Sequence, residues 1–419
     1  MQLLPAALYR HHILQHLLKL LPLDVECWLV GGALRDVMLD REVHDFDFAL
    51  SVDPEPFVRR LASVLKGTYV PLDPHRKQSR IVVKRTGAAL TLDFAMLRAD
   101  SLEGDLELRD FTCNAMASSI RNPGGLLDPL DGRKDLLYGL LRPCSEAVLE
   151  HDPLRMIKGL RHCVELNLVP TDSFAEQCRR YHGRLTESAS ERVKVELGRI
   201  FAHPYACRGI RMLHHYQLLN PLLPDIAQEE GIDLSAAGRV TAAGAHLSGP
   251  IDTALEKRLE EGWPLFALVR LYASFRIAAS HATVLNRLRF SRKARSLFHQ
   301  LAAAHEHLAL PESSAPDRAR ALWVDSLGSE PAASILYLES LPAYAKINLG
   351  RFYSDWLQHQ VEGRVPDLIS ADDLVVRWGI PPGPGLGRGL EAVRRDEIGG
   401  RISKPFSTAE IVEQYFKKD

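Results

Sequence analysis

Two aspartates separated by one residue form a pattern in this sequence that can do chemistry. Asp45 and Asp47 lie in a stretch of alternating polar and apolar residues that predicts a half-buried strand over 45–50. Side chains two residues apart on a strand point to the same face, and two like charges there repel unless a cation neutralises them. Mg²⁺ prefers carboxylate oxygens. An isolated pair of this kind is more often a solvated strand edge than a metal site.

A third carboxylate, Asp93, lies on a later predicted strand within Leu92-Asp93-Phe94. Three carboxylates can hold two metal ions, which stabilise the attacking and leaving oxygens of an in-line phosphoryl transfer. We therefore predict Asp45, Asp47 and Asp93 as catalytic residues, with Mg²⁺ as the cofactor and Asp45 and Asp47 as its ligands.

A glycine pair upstream of the aspartates predicts a phosphate-binding turn. The apolar strand over 27–30 runs into Gly31-Gly32, and a helix is predicted from Ala33 to about Leu39. Glycine lets a backbone approach a phosphate closely, and a helix N-terminus offers unbonded N–H donors. Arg35, one turn inside the helix, can reach a triphosphate. A glycine pair alone is more often a tight turn, but ahead of two aspartates it favours a nucleotide site.

The elements around these residues predict an α/β region followed by a helical one. Helices are expected over 1–20 and from Pro54, and strands over 81–83 and 90–94, joined by a turn at Thr86-Gly87. From about Pro153 onward, helical spacing dominates. A chain of 419 residues is expected to form two to four sub-domains.

Composition narrows the class of protein. Hydrophobic residues make up 46% and charged residues 25%, which is ordinary for a soluble globular chain, and no apolar run is long enough to cross a bilayer. Residues 1–21 predict an amphipathic helix of the mature protein and not a signal peptide. The six cysteines lack metal-ligand spacing, so we expect buried thiols and a cytoplasmic location. The net charge of −1 means that any nucleic acid must be bound by local basic surface.

Six motifs in order resemble the class II CCA-adding enzyme and bacterial poly(A) polymerase family, which belongs to the polymerase β-like nucleotidyltransferases. The first is Gly31-Gly32-x-x-Arg35-Asp36 with Asp45-x-Asp47, and the second is Arg109-Asp110-Phe111-Thr112-Cys113-Asn114. The others are the hinge from Asp128-Pro129 to Asp135-Leu136, His151-Asp152-Pro153-Leu154-Arg155-Met156, Glu191-Arg192 with Glu196-Leu197, and a tail from Gly379 to Gly385 followed by Gly399-Gly400. The resemblance spans almost the whole chain.

The resemblance implies a fold, partners and residue roles. The implied fold is an α/β head with a mixed, mostly antiparallel sheet at 1–142, then an all-α neck at 143–205, body at 206–345 and RNA-binding tail at 346–419. The implied partners are the acceptor arm and 3′ end of tRNA, with CTP and also ATP as candidate nucleotides and neither a membrane nor a protein partner. Asp152 and Arg155, predicted to share one helix face, would recognise the base. The implied nucleotide-binding residues are Gly31, Gly32, Arg35, Arg109, Asp110, Asn114, Asp152, Arg155, Lys158 and Arg161.

The sequence departs from the family pattern in four places. His151 stands where the family has Glu, Lys158 where it usually has Arg, and Leu108 where the second motif begins with Arg. The segment from Phe94 to Leu108 is short and lacks the longer flexible loop of complete CCA-adding members. Members without that loop resemble CC-adding enzymes. We therefore expect addition of C residues, as CC, with complete CCA as a further outcome.

Alternative functions remain open from the sequence. Within the family, the alternative function is that of an A-adding enzyme or a poly(A) polymerase. In another class, the departures at Leu108, His151 and Lys158 are compatible with a catalytically inactive RNA-binding relative, although two retained aspartates disfavour it. A small-molecule nucleotidyltransferase is disfavoured by the long helical region, because a small substrate needs no such surface.

Overall fold

The computed structural model describes residues 12–84, 89–122, 125–224, 232–276, 282–307, 310–311, 317–344, 347–361, 368–398, 401–402 and 407–416. The chain divides into two compact units. The first contains residues 1–189 and 212–221, and the second contains residues 190–211 and 222–419. The boundaries predicted after residues 142, 205 and 345 stay predictions. The predicted turn at Thr86-Gly87 and the Gly399-Gly400 pair lie outside the described residues.

A six-stranded sheet forms the centre of the first unit, in the order β3-β4-β5-β2-β1-β6. Neighbouring strands run antiparallel except for β2 and β5, which are parallel, so the predicted mixed and mostly antiparallel sheet is confirmed. The strands are β1 (Cys27–Val30), β2 (Asp45–Leu50), β3 (Thr68–Asp73), β4 (Gln78–Val83), β5 (Leu90–Met96) and β6 (Ala117–Ser119).

Two of the six strands of this sheet, β3 and β6, were not predicted, and both are edge strands. Pro71 lies within β3. Proline cannot donate to a strand ladder and is tolerated only at an edge, so its presence argues against a strand when the neighbours are unknown. The other strand, β6, has only three residues, Ala-Ser-Ser, which carry too little apolar alternation to be recognised.

The two faces of the sheet have different chemistry because residues of β2 alternate. Phe46, Phe48 and Leu50 are buried, and the rings of Phe48 and Phe94 stack at 4.8 Å. The other face carries Asp45, Asp47 and then Ala49, which packs in an apolar cluster with residues of helix α4 (Leu102–Glu107). One face is therefore a core, and the other is apolar at one end of β2 and acidic at the other.

Helices complete the first unit. They are α1 (His12–Leu20), α2 (Gly32–Met38), α3 (Glu55–Leu65), α4, α5 (Gly132–Leu137), α6 (Val148–His151), α7 (Leu154–Glu165) and α8 (Asp172–Tyr181), together with α11 (Leu219–Leu222); a 3₁₀ turn covers Thr112–Asn114 and another covers His182–Glu187. Two very short strands, β7 (Leu140–Leu141) and β8 (Val169–Pro170), pair in parallel. The helix α10 (Ala206–His215) has residues in both units, and so does α11, whose last residue, Leu222, belongs to the second unit.

The second unit is almost wholly helical. Its helices are α9 (Ser190–Ala202), α12 (Ala236–His246), α13 (Pro250–Leu255), α14 (Leu265–Phe275), α15 (Ala282–Arg287), α16 (Arg292–His307), α17 (Asp317–Ser326), α18 (Pro331–Glu339), α19 (Leu349–Val361), α20 (Ala371–Trp378), α21 (Pro384–Ile398) and α22 (Thr408–Tyr415). The prediction of an α/β head followed by helices is confirmed, with one exception in this unit, the short pair β9 (Arg258–Glu260) and β10 (Trp263–Pro264). Across the described residues, no helix combines the length and apolar character needed to cross a membrane.

The second unit is centred on aromatic residues and a buried arginine. The rings of Phe201 and Trp263 stack at 5.6 Å, and the indole N–H of Trp263 donates to the Lys194 carbonyl at 3.1 Å. Arg270, 7% exposed, donates to the Phe201 and His203 carbonyls at 2.7 and 3.0 Å. These bonds satisfy carbonyls at the C-terminal end of α9, which an isolated helix leaves unpaired.

Candidate active site

Four strands place a row of residues side by side across the acidic part of the sheet. Val30 on β1 lies opposite Asp47 on β2, Asp47 lies opposite Asp93 on β5, and Asp93 lies opposite Arg80 on β4. Directly opposed residues on neighbouring strands are close enough for their side chains to interact. The fold therefore brings Asp47 and Asp93 together although they are distant in sequence. Asp45, exposed and two residues before Asp47, lies on the same face.

Asp93 forms an ion pair with Arg80, and the sequence did not predict this contact. Nε of Arg80 donates to Oδ1 of Asp93 at 2.6 Å, and Nη2 donates to Oδ2 at 2.7 Å. This hydrogen bonding raises the pKa of Arg80. Both oxygens of Asp93 thus take part in a two-pronged ion pair. Its role as a third catalytic carboxylate stays a prediction, because in this structure its charge is already balanced.

Asp47 forms no such ion pair with the described residues, and its charged form is disfavoured. Burial raises its pKa to about 6; attraction from Arg109 opposes this, while repulsion from Asp93 and Asp45 adds to it. A half-buried carboxylate with two acidic neighbours is stabilised in its charged form by a cation. Asp45 and Asp47 therefore fit a hard divalent metal such as Mg²⁺. Among the described residues, no group of three or more acidic, histidine or cysteine side chains is arranged to hold a metal ion.

Gly31 allows the phosphate loop to pass directly against Asp47. It has φ of 77°, a conformation that favours glycine. A Cβ atom added at Gly31 would lie 3.0 Å from Oδ2 of Asp47 and 3.2 Å from Nη1 of Arg109. Any side chain at this position would fill the space beside both groups. The loop thus brings backbone, a carboxylate and a guanidinium together at one point.

Arg35 folds back over Gly32 and connects the first motif with the second. A Cβ atom at Gly32 would lie 3.2 Å from Nη2 of Arg35. Nε and Nη2 of Arg35 donate to the two oxygens of Asp36, each at 2.9 Å, and Nη1 donates to Oδ1 of Asn114 at 2.7 Å. These bonds use three of the five N–H donors of a guanidinium. Asn114 in turn donates through Nδ2 to Oδ1 of Asp110 at 3.1 Å.

Asp110 is the point where the second motif meets helix α7. It is 8% exposed, accepts from the Phe111 backbone N–H at 2.8 Å, and forms an ion pair with Nζ of Lys158 at 2.6 Å. Burial alone would raise the pKa of Asp110, but attraction from Lys158 and His162, together with the hydrogen bonds from Lys158 and Asn114, holds the pKa well below its ordinary value. A continuous polar chain thus runs from Asp36 through Arg35, Asn114 and Asp110 to Lys158.

Asp152 is not on a helix, so the prediction that it shares a helix face with Arg155 is wrong. It lies between α6 and α7 with φ of −143° and ψ of 94°, and Pro153 follows it. Proline disfavours the helical conformation in the residue before it. Asp152 accepts from the Leu154 backbone N–H at 3.3 Å, and its carbonyl accepts from the Arg155 N–H at 3.0 Å. Both side chains are half-buried at the start of α7.

Along α7, the predicted nucleotide-binding residues have different environments. Arg155 donates through Nη1 to the Arg109 carbonyl at 3.5 Å, and Lys158 follows one turn later. Arg161 is 3% exposed and pairs with Glu165 at 2.5 Å, so its guanidinium is enclosed in the unit. Gly159 lets α7 approach the second motif, because a Cβ there would lie 2.8 Å from the Phe111 ring. The nucleotide-binding roles of all these residues stay predictions.

The segment that distinguishes this chain from longer family members is ordered by residues that the sequence did not single out. After β5 ends at Met96, Ser101 caps α4 by accepting from the Gly104 N–H at 3.1 Å. Asp105, 2% exposed, pairs with Arg98 at 2.8 Å and with Arg109 at 3.2 Å. Leu108 lies at the end of α4 and is 44% exposed. The spacing of four residues between Asp105 and Arg109 is the local signal that could have indicated this pair, whereas the burial of Asp105 is set by the fold.

Family models match two parts of the chain. The model described as "Poly A polymerase head domain" matches residues 27–142, which contain the sheet, the phosphate loop and the second motif. The model described as "Probable RNA and SrmB- binding site of polymerase A" matches residues 170–230.

Curated relatives match over most of the chain. A CC-adding tRNA nucleotidyltransferase of Thermus thermophilus is 30% identical over 89% of this chain and 90% of its own. One of Geobacter sulfurreducens is 28% identical over 90% of this chain and 88% of its own. An A-adding tRNA nucleotidyltransferase of Deinococcus radiodurans is 36% identical, but over 49% of this chain and 46% of its own. In fold, the chain is similar to a CCA-adding enzyme solved with ATP, with a TM-score of 0.69, 20% identity and coverage of 98% and 94% of the two chains.

Proposed function

Because the chain belongs to the class II CCA-adding enzyme and bacterial poly(A) polymerase family and is a nucleotidyltransferase that acts on tRNA 3′ ends, we propose that it adds C residues, ending at CC. The proposed nucleotide is CTP, and the proposed cofactor is Mg²⁺ held by Asp45 and Asp47. Two full-length relatives named as CC-adding support this choice.

The observation that carries the proposal is the arrangement around Asp47. A carboxylate whose pKa is raised to about 6 lies against Gly31 and beside Arg109, on a strand that also carries Asp45. When bound, divalent metal ions would lower the charge on the transferred phosphate and favour attack by a tRNA 3′ hydroxyl. The chain itself supplies the ligands and the surface on which the triphosphate lies.

The remaining residues bind and orient the substrates. The loop at Gly31 and Gly32 lets the backbone approach phosphate oxygens, and the guanidiniums of Arg35 and Arg109 offer charge-assisted donors to them. Asp152 and Arg155, at the start of α7, offer an acceptor and a donor to the edge of the incoming base. The bonds of Asp110 to Asn114 and Lys158 hold the phosphate side and the base side of this site in one geometry.

The short, capped segment after β5 supports the restriction to C. Residues 97–108 contain α4, and Arg98 is anchored to Asp105 at 2.8 Å. The resemblance assigns the change from C to A addition to a longer flexible loop at this place. A segment closed by its own ion pair has less freedom to rearrange a pocket between two nucleotides.

The test is nucleotide addition on two defined substrates. Purified protein is incubated with Mg²⁺ and either tRNA lacking its CCA end or tRNA ending in CC, with CTP alone, ATP alone or both. We expect two C residues on the first substrate and no A on the second. Complete CCA ends, or A added to the CC-ending tRNA, would refute the CC-specific function, and ATP tailing of unrelated RNA would favour a poly(A) polymerase.

The A-adding alternative is retained because of one relative. The A-adding enzyme of Deinococcus radiodurans is 36% identical across about half of the chain, which is a higher identity over a shorter stretch than the CC-adding relatives have. The CC-ending substrate separates the two functions directly. An Asp47→Ala variant run in parallel distinguishes catalysis by this chain from a contaminating activity.

A further inference from the structure

Asp105 is a buried carboxylate to which the proposed reaction gives no role. It is 2% exposed and lies in α4, outside every family motif that the sequence contains. Its Oδ1 accepts from the Arg98 backbone N–H at 3.1 Å and from Arg98 Nε at 2.8 Å, and its Oδ2 accepts from Nη2 of Arg109 at 3.2 Å. Although burial would raise the pKa of Asp105, the two arginines hold it below its ordinary value. Asp105 is therefore ionised and bonded on both oxygens.

The two terminal nitrogens of Arg109 lie in different surroundings. Nη2 bonds to Asp105, while Nη1 lies 3.2 Å from the position that a Cβ atom would have at Gly31. Nε is buried and has no hydrogen-bond partner in the described part of the chain. The side chain is only 19% exposed. One end of this guanidinium is thus anchored, and the other end faces the phosphate loop and Asp47.

The anchor itself is rigid because α4 is packed and capped. Leu102 and Leu106 join the apolar cluster of Val30 and Ala49. A Cβ atom at Gly104 would lie 2.9 Å from Cβ of Ala99, so Gly104 packs closely against Ala99 immediately before Asp105. A carboxylate on such a support keeps its position when a substrate binds.

We propose that Asp105 is a positioning residue for nucleotide addition, which holds the Arg109 guanidinium beside Gly31 to meet the triphosphate of the incoming nucleotide. Without Asp105, the Arg109 guanidinium can turn to Asp47, which also lies against Gly31, and an ion pair there would compete with the metal for the same oxygens. This inference rests on the proposed function, since it assumes that a triphosphate lies at Gly31. It also gives the short segment after β5 a role in positioning Arg109.

A double-mutant cycle tests the inference. Asp105→Asn keeps the shape of the side chain and removes its charge, and Arg109→Gln removes the group that Asp105 is proposed to hold. The values kcat and KM for CTP are measured on tRNA lacking its CCA end. We expect Asp105→Asn to lower kcat/KM at least about tenfold in the wild-type chain, because small misplacements of binding groups are costly, and by less than about twofold when Arg109 is already Gln.

Equal losses in both backgrounds, or no loss in the wild-type chain, would overturn the positioning role, since a residue needed only for folding acts without regard to Arg109. If the Asp105→Asn variant does not fold, the Arg109→Lys variant is measured instead. A lysine keeps the charge but cannot reach Asp105 and Gly31 together, so we expect a fall of about tenfold in kcat/KM. Wild-type activity of Arg109→Lys would then overturn the proposal.

Two controls separate positioning from stability. Arg98→Met removes the other cation from Asp105 and leaves the Asp105–Arg109 pair in place, so kcat/KM should stay within about twofold of wild type. Asp355→Asn breaks a comparable pair in the second unit, Arg320 with Asp355 at 2.5 Å, and should lower the unfolding midpoint without changing kcat/KM for CTP. If the wild-type chain incorporates A instead of C, the proposed specificity fails while the cycle is still run with ATP.

Discussion

Asp47 and Asp110 lie in the same unit and face opposite electrostatic conditions. Asp110 is buried but has a lysine, an amide and a backbone N–H around it, and its pKa is lowered. Burial raises the pKa of Asp47 to about 6, and repulsion from Asp93 and Asp45 adds to this effect. The charge of Asp110 is balanced within the protein, whereas Asp47 forms no ion pair with the described residues and can accept a cation. A raised carboxylate pKa thus indicates a candidate site for a charged ligand. A lowered one indicates that the partners of the carboxylate lie within the protein.

The contrast between Asp47 and Asp110 predicts its largest effect on catalysis, at Asp47. We expect Asp47→Ala to lower nucleotide addition by at least about a thousandfold, because loss of a metal ligand removes charge stabilisation that acts in the transition state. Initial rates at saturating CTP and Mg²⁺ measure it. Asp100→Asn, an acid-to-neutral change at an exposed position in the same unit, is the control and should leave the rate unchanged. An active Asp47→Ala protein would remove Asp47 from the metal site.

The second effect has the opposite direction and concerns stability. In metal-free protein, Asp47→Asn should stabilise the fold at pH 7.5 by at most about 3 kcal/mol, since a carboxylate with a folded pKa of about 6 and an unfolded pKa near 3.8 destabilises the folded state when charged. That destabilisation is absent near pH 4 and appears as the pH rises through 4 to 6. Urea unfolding at pH 7.5 and 4.5, in the presence of a chelator, measures the difference in the free energy of unfolding between wild type and variant.

If the difference in the free energy of unfolding between wild type and Asp47→Asn is the same at pH 4.5 as at pH 7.5, the assignment of a raised pKa to Asp47 is contradicted. Added Mg²⁺ provides a further check. It should stabilise the wild-type chain and not the Asp47→Asn variant, because a ligand that binds only the folded state stabilises it by mass action.

The third effect is a loss of stability at Asp110. Asp110→Asn should destabilise the protein by about 2 kcal/mol, because it removes one partner of a largely buried ion pair with Lys158. The lowered pKa of Asp110 means that its stabilisation is present above about pH 4 and is lost only on further acidification. The difference from wild type should therefore be the same at pH 7.5 and 4.5, unlike that of Asp47→Asn. Adding Lys158→Met to this variant should cost less than the two single changes together.

The smallest effect concerns a departure from the family pattern. Lys158→Arg should change the addition rate by less than about threefold. Oδ1 of Asp110 is already bonded to Phe111 and Asn114, so only Oδ2 remains for residue 158 and a two-pronged arginine gains little. Rates with CTP and with ATP measure it. A large gain with ATP would show that Lys158 itself sets the nucleotide preference.

The sequence predicted much of the fold because its strands alternate clearly. Strands β1 and β2 have the predicted bounds, and β4 and β5 contain the predicted ones. The missed strand β3 contains Pro71, which is acceptable only because no neighbour requires its N–H. Asp152 was assigned to a helix by its spacing from Arg155, although the proline that follows it opposes the helical conformation.

By itself, the sequence determined that two carboxylates share one face of a strand beside a glycine turn, since both properties depend on near neighbours. Only the tertiary structure decided which carboxylates keep unbalanced charge. Arg80 reaches Asp93 through strand register, and Lys158 reaches Asp110 through the packing of α7. Charge balance depends on distances between residues far apart in the chain, and no local pattern contains them. Asp47 is a carboxylate that is half-buried and yet forms no ion pair with the described residues.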